Sequence, residues 1–327
     1  MGKAIWVTGQ SIAFLVTGLV LFGLFFIPDL TLKIVWFAVV PLLPASFLIN
    51  AGMWRGLCPI ASVNMMPKKD AGMALVGKWL TIASIVGLVL LGLLVPLRRV
   101  LLNVDGPALA IVLVAIVALA LVMGFVAKAK GGFCNSICPV LPVEKLYGQS
   151  PLVSIRNPRC IPCNHCTSKG CLDIDPSLSV KHAVGSSVKR GAWLASPFGI
   201  FAAAFPGFIY GYFQLTDGAL SDSLHVYQTV FMYAGLSLVL VGGLSFVFNV
   251  ASKFMLPFLG AFSIGMYYWF AVPASFEAFG LAGASVVKFA MLALVVYWLM
   301  KALQSAGATP TNSGKQYRSV VAASLPK

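Results

Sequence analysis

Apolar residues along this chain gather into eight blocks, each close to the roughly 20 residues a helix needs to cross the hydrocarbon core of a bilayer. The blocks fall near 4–27, 30–50, 74–97, 107–127, 192–214, 227–249, 254–274 and 278–303. Pro41 and Pro44 interrupt the second block, so seven spans is the alternative count. Prolines in such helices are tolerated where neighbours satisfy the freed carbonyls. The first block follows one lysine, is too long for a cleaved signal and meets no small-residue cleavage site, which predicts a retained first helix. The pattern predicts an all-α polytopic membrane protein with about eight transmembrane helices. Its longest polar interruption divides the chain into a transmembrane half at 1–127, a loop at 128–191, a second transmembrane half at 192–304 and a tail at 305–327. The tail is polar, with Gly, Pro and Thr, and is expected to be flexible. Gly207-x3-Gly211 and Ala203 predict close helix packing in the second half, and Tyr267, Tyr268 and Trp269 an interfacial aromatic belt.

Composition agrees with a membrane protein and overrides the two soluble domains that the length alone would allow. The chain is 59% hydrophobic and 10% charged, with a mean hydropathy of +0.93. The net charge of +14 fits basic loops on one membrane face rather than nucleic-acid binding, since no basic stripe is interleaved with aromatics. With eight spans, the N-terminus, the loops near 51–73, 128–191 and 250–253, and the tail share one side. That side and the helix ends bordering it carry 19 of the 23 basic residues. The other side has Lys33, Arg98 and Arg99 against Asp29, Asp105, Asp217, Asp222 and Glu277. The positive-inside rule then places the 128–191 loop in the cytoplasm and the protein in the inner (cytoplasmic) membrane.

Six of the seven cysteines lie between Gly132 and Cys171. Cys160, Cys163 and Cys166 follow C-x2-C-x2-C spacing, and Cys171 comes after four more residues; upstream stands Cys134-x3-Cys138-Pro139. Such confinement points to cluster or metal chemistry in a reducing compartment rather than to a disulfide framework. The seventh, Cys58, belongs to a weak repeat: Gly52, Cys58, Pro59 and Val63 recur 80 residues later as Gly132, Cys138, Pro139 and Val143. Each copy follows a pair of predicted helices, so 1–150 reads as two copies of helix, helix, cysteine turn.

The triple C-x2-C spacing suits three ligands of one [4Fe–4S] cluster, whose fourth ligand in ferredoxin loops is a distant Cys followed by Pro. Cys138 meets that description. Cys58 is a second candidate and Cys171 a local one. Zinc is the alternative metal, although its ligands usually come as two separated pairs. Cys58, Cys134 and Cys171 then remain, either to hold a second cluster with a non-Cys ligand or to stay buried free thiols. His165, between two of the ligands, could ligate or could tune the potential through a hydrogen bond.

Cys-x3-Cys-Pro between membrane helices, followed by ferredoxin-like cysteines, resembles the membrane polyferredoxins that accompany periplasmic nitrate reductase and nitrous-oxide reductase or assist cytochrome-oxidase assembly. The resemblance covers residues 1–180. Cys58, Cys134 and Cys138 match its turn motif, and Cys160, Cys163 and Cys166 its cluster run. It implies cytoplasmic [4Fe–4S] clusters and electron passage between a quinol pool or cytoplasmic donor and a partner membrane oxidoreductase. Two departures stand out. Trp54 takes the place of the first repeat's leading Cys, and the single cluster run ends in Cys171-Leu172 rather than Cys-Pro.

The expected function is therefore a membrane-bound electron-transfer subunit. Its expected partners are other subunits of an oxidoreductase complex, a quinone and an acidic soluble donor drawn to the basic face. The alternative is a structural or assembly subunit with a structural cluster or zinc site. No acid–base or nucleophile constellation predicts catalysis by the chain itself. The three histidines, His165, His182 and His225, are not placed inside spans to ligate a haem between helices. Lys288 falls mid-span in the last block, where a charge is costly; a shifted span boundary or a subunit contact is expected over a quinone, lipid or proton site. Asp217, Asp222 and His225 share an outer loop and are expected to be a solvated turn.

Overall fold

The computed structural model describes residues 3–67, 73, 75, 77–127, 129–153, 172–173, 176–184, 191–248 and 251–307. Helices dominate, and no strand occurs among the described residues. The first half contains α1 (Lys3–Phe26), α2 (Pro28–Ile34), α3 (Val40–Leu57), α4 (Pro59–Asn64), α5 (Gly77–Leu97), α6 (Gly106–Val126) and α7 (Leu141–Tyr147). After α8 (Pro176–Val184) come α9 (Pro197–Phe213), α10 (Ser223–Phe248), α11 (Ser252–Ala278) and α12 (Ala284–Gly307). Prolines sit in the first turn of α2, α4, α6, α7 and α9, where the missing N–H would have had no helical partner anyway. Asp105 caps α6, accepting from the Ala108 N–H at 2.8 Å, and Ser196 caps α9 through Gly199 at 3.0 Å.

Among the described residues seven helices are long and apolar enough to cross a membrane, which makes the chain an all-α multi-pass membrane protein. The second predicted block, in doubt because of Pro41 and Pro44, is a 30-residue span at Pro28–Leu57, broken once near its end at Asn50. The shortfall lies in the fifth block, where α9 has only 17 residues, about 26 Å at 1.5 Å per residue. It still traverses the bundle. Phe198 near its start lines a pocket with Leu80 at the start of α5, and Tyr212 near its end lies 4.3 Å from the Arg99 guanidinium just beyond α5. Eleven of its residues are buried, so neighbouring helices shield a helix shorter than the bilayer core.

Gly207 and Gly211 explain that burial. A Cβ on Gly207 would strike the Tyr233 carbonyl, and one on Gly211 would lie 3.1 Å from the Val230 Cα. The predicted small-residue seam is thus the contact of α9 with α10. By contrast α10 turns residues such as Phe246 (88% exposed) outward, as a lipid-facing helix should. The expected aromatic belt divides: Trp269 is exposed, but Tyr268 is buried and donates to the Pro41 carbonyl at 2.8 Å. Helix α12 starts at Ala284, so Lys288 lies near its first turn rather than mid-span, with its ammonium 4.2 Å from the Trp269 ring.

Both ends of the bundle reach the same face as the cysteine turns. Trp6, near the start of α1, packs on Gly56. Lys301, near the end of α12, donates to the Pro151 and Leu152 carbonyls at 3.1 and 2.7 Å, on the segment following α7.

Candidate metal centre

Each Cys-Pro pair leads into a short helix. At Cys58 the backbone leaves α3 with φ −56° and ψ 122°, and Pro59 opens α4. In the second copy the N–H groups of Ile137 and Cys138 both donate to the Phe133 carbonyl at 3.0 Å. That turn leads through Pro139 into α7. It presses on α5 at Gly87, where a Cβ would stand 2.9 Å from the Ile137 carbonyl oxygen and 3.2 Å from that of Cys138. Only glycine admits so close a backbone approach without displacement.

The two copies interlock. Helix α4, after the first turn, packs on α6, the helix before the second turn; α7, after the second, packs on α3, the helix before the first. Arg55 and Asn135, equivalent under the 80-residue shift, meet through a hydrogen bond from the guanidinium to the amide oxygen. Cys134 and Phe133 are buried with Ala61 and Ala120, and Cys58 and Cys138 pack against that cluster.

A buried charge network lies beside these thiols. Arg55 donates to Glu144 at 2.7 Å and to Asp173 at 2.9 Å, and to the Cys134 carbonyl at 3.2 Å. Lys130 reaches the other Asp173 oxygen at 2.9 Å and the Arg55 carbonyl at 3.3 Å. All four charged side chains are at most 5% exposed. Among the described residues two cations thus face two carboxylates, and pairing of this kind is how charge is held away from water. The two carboxyls respond differently. Burial pushes both up, but Asp173, gripped by Arg55 and Lys130, ends below the ordinary carboxylate range. Glu144 has the Arg55 contact but also feels Asp173, and ends above it.

This network closes one end of the segment that carries the cluster run. Leu172 packs with Ala51 and Leu141, with Cys138 against them, and Asp173 is the residue that Arg55 and Lys130 hold. The other end is tied just as firmly. Helix α3 breaks at Asn50 (φ −168°, ψ 108°), and the carbonyls of Leu48 and Ile49 accept from the N–H groups of Leu152 and Val153 at 2.9 and 3.0 Å. Asn50 adds a bond to the Val153 carbonyl at 2.7 Å. Val153 and Asp173, on either side of 154–171, are thus both held on one stretch of α3, 48–55, immediately before Cys58.

Cys160, Cys163, Cys166 and Cys171, and with them His165, fall outside the described residues. Cys58, Cys134 and Cys138 are free thiols. Among the described residues no three of His, Cys, Asp and Glu are disposed to hold a metal ion, so these three thiols do not by themselves form a site. Burial raises all three thiol pKa values, that of Cys134 to about 12 despite Arg55 nearby. A thiolate ligand here would need the charge of a metal to stabilise it. Of the three, Cys58 and Cys138 are the half-buried ones, and Cys138 is the one that packs against the cluster of Ala51, Leu141 and Leu172.

The sequence reading missed the network. A signal existed: Arg55 interrupts an apolar helix end, and Glu144 and Asp173 are two of only nine acids in the chain. An ionisable residue in such a place calls for a partner. Comparisons with family models, curated proteins and solved structures find no match to this chain.

Proposed function

We propose that the protein is a membrane-bound electron-transfer subunit that holds a [4Fe–4S] cluster through Cys160, Cys163, Cys166 and Cys138. The observation that supports this most is the holding of Val153 and Asp173, which flank 154–171, on α3, with Cys138 packed against the Ala51, Leu141 and Leu172 cluster. Such anchoring would let the cluster run reach the Cys-Pro turn, which the ferredoxin pattern uses as fourth ligand. A bound cluster would supply one reversible electron. The chain's own residues position the ligands: Arg55 and Lys130 fix the exit of the run through Asp173, and Gly87 admits the Cys138 turn. Basic residues on this face would attract an acidic donor, with electrons passing between that donor or a quinol and a partner membrane oxidoreductase. The same clamps favour a second reading, a structural cluster or zinc site in an assembly subunit, because they hold the ends of the loop whether or not its metal changes charge.

Iron and sulfide analysis of anaerobically purified protein, followed by an EPR-monitored redox titration, separates the two readings. About four irons per chain and a reversible low-potential signal lost in Cys163→Ser are expected. Zinc, or a cluster silent across the titration, sinks the electron-transfer reading. Cys138→Ser should abolish the cluster; if Cys171→Ser does so and Cys138→Ser does not, the fourth ligand is Cys171.

A further inference from the structure

On the face away from the cysteines, two π-helical turns bring an arginine and a tryptophan together. Val35–Val39 links α2 to α3, and Arg98–Leu102 ends α5; such wide turns often mark functional places in a helix. The Arg98 guanidinium stacks 3.9 Å from the Trp36 ring and 5.3 Å from that of Tyr212. Trp36 is itself fixed by a 2.8 Å bond to the Leu102 carbonyl. Arg98 Nε donates to the Asn103 side chain at 2.9 Å. Its two terminal nitrogens have no ion pair or hydrogen bond among the described residues. Arg99 stands next to it with one carboxylate partner, Asp217, at 2.9 Å, and Asn103 holds that same Asp217 oxygen at 2.7 Å.

Of two adjacent guanidiniums at the end of an apolar bundle, Arg99 alone is thus paired with a carboxylate among the described residues. Two buried polar atoms here also lack a hydrogen-bond partner among the described residues: Arg99 Nε and the Tyr212 hydroxyl. Tyr212 is only 5% exposed, and both guanidiniums stack on its ring. An apolar occupant would leave these donors unsatisfied, and a cation would meet two positive charges. An oxyanion satisfies both conditions, and the planar fork of an arginine already flattened against an indole suits two oxygens of one phosphorus.

We infer that Arg98 and Arg99, framed by Trp36 and Tyr212, bind a phosphate group at the membrane face opposite the cysteines. The site is independent of the cluster. The phosphate could belong to a phospholipid headgroup or to free phosphate, and two arms of one experiment tell these apart. In the first, full-length protein is reconstituted in nanodiscs of phosphatidylcholine and phosphatidylglycerol, and lipid retained after extraction is counted by native mass spectrometry. In the second, delipidated protein in detergent is titrated with inorganic phosphate and its thermal midpoint followed. Arg98→Gln should reduce retention, or the affinity for phosphate, about tenfold or more, while Lys33→Gln on the same face changes neither. Loss in the first arm assigns the phosphate to lipid, and loss in the second to the free anion. Equal behaviour of wild type and Arg98→Gln in both arms, or an equal loss in Lys33→Gln, overturns the site. Should Arg98→Gln not yield monodisperse protein, Arg98→Lys, which keeps the charge but not the fork, is read in the same way.

Discussion

Asp173 holds two cations and Glu144 holds one, and this difference sets the cost of removing each. Asp173→Asn removes a carboxylate from both Arg55 and Lys130, whereas Glu144→Gln removes one from Arg55 alone and leaves it bonded to Asp173. Breaking a buried pair by removing one partner typically costs about 3–5 kcal/mol, most of it from the charge left behind. Asp173→Asn should fall in that range. Glu144→Gln should cost clearly less, because burial already disfavours the ionised form of that carboxyl. Thermal unfolding of both variants in the same detergent checks the order, and an equal or reversed cost would mean that Lys130 contributes nothing to holding Asp173. At this scale the sequence showed which residue types were present but not which would meet. Nothing in the spacing of Arg55, Lys130, Glu144 and Asp173 joins them, since their contacts span 43 to 118 residues and exist only once the two repeats have interlocked.

The elements were far more legible, because a lipid-facing helix must be apolar over a length that can be counted. Seven spans follow the hydrophobic blocks closely. What that count could not show was the shielding of α9 by α10 and α11, which lets a 17-residue helix traverse the bundle, or the start of α12 at Ala284, which moved Lys288 out of mid-span. The repeat was visible as four shared residues, but the exchange of its short helices was not, since packing partners leave no mark in a short motif. Gly87 is where that packing can be tested. Gly87→Val would force the Ile137–Cys138 backbone away from α5 and should lower iron content by half or more, with α5 still helical and the protein still monodisperse. Gly235→Ala on α10, where a Cβ meets nothing within 4 Å, should leave iron content unchanged. Full iron content in Gly87→Val would show that the position of the Cys138 turn does not govern cluster assembly.

Taken whole, the bundle gathers its chemistry on one face and an arginine–aromatic pair on the other. Trp6, the two Cys-Pro turns, Leu172–Asp173 and the end of α12 at Lys301 share the first face, while Trp36, Arg98, Asp217 and the start of α12 share the second. This arrangement needs α9 to traverse, because omitting it would put Lys301 on the face opposite Pro151, to which it is bonded. The charge asymmetry then has one consequence for orientation. Among the described residues the first face carries most of the basic side chains, so insertion should leave it in the cytoplasm, where thiols stay reduced and a cluster can be loaded. Fusions report this directly. A green fluorescent protein joined after Ser305 should fluoresce and alkaline phosphatase joined there should be inactive, whereas phosphatase joined after Gly283 should be active. The opposite pattern would place the cysteines in an oxidising compartment, and would count against an iron–sulfur cluster more strongly than any single cysteine substitution.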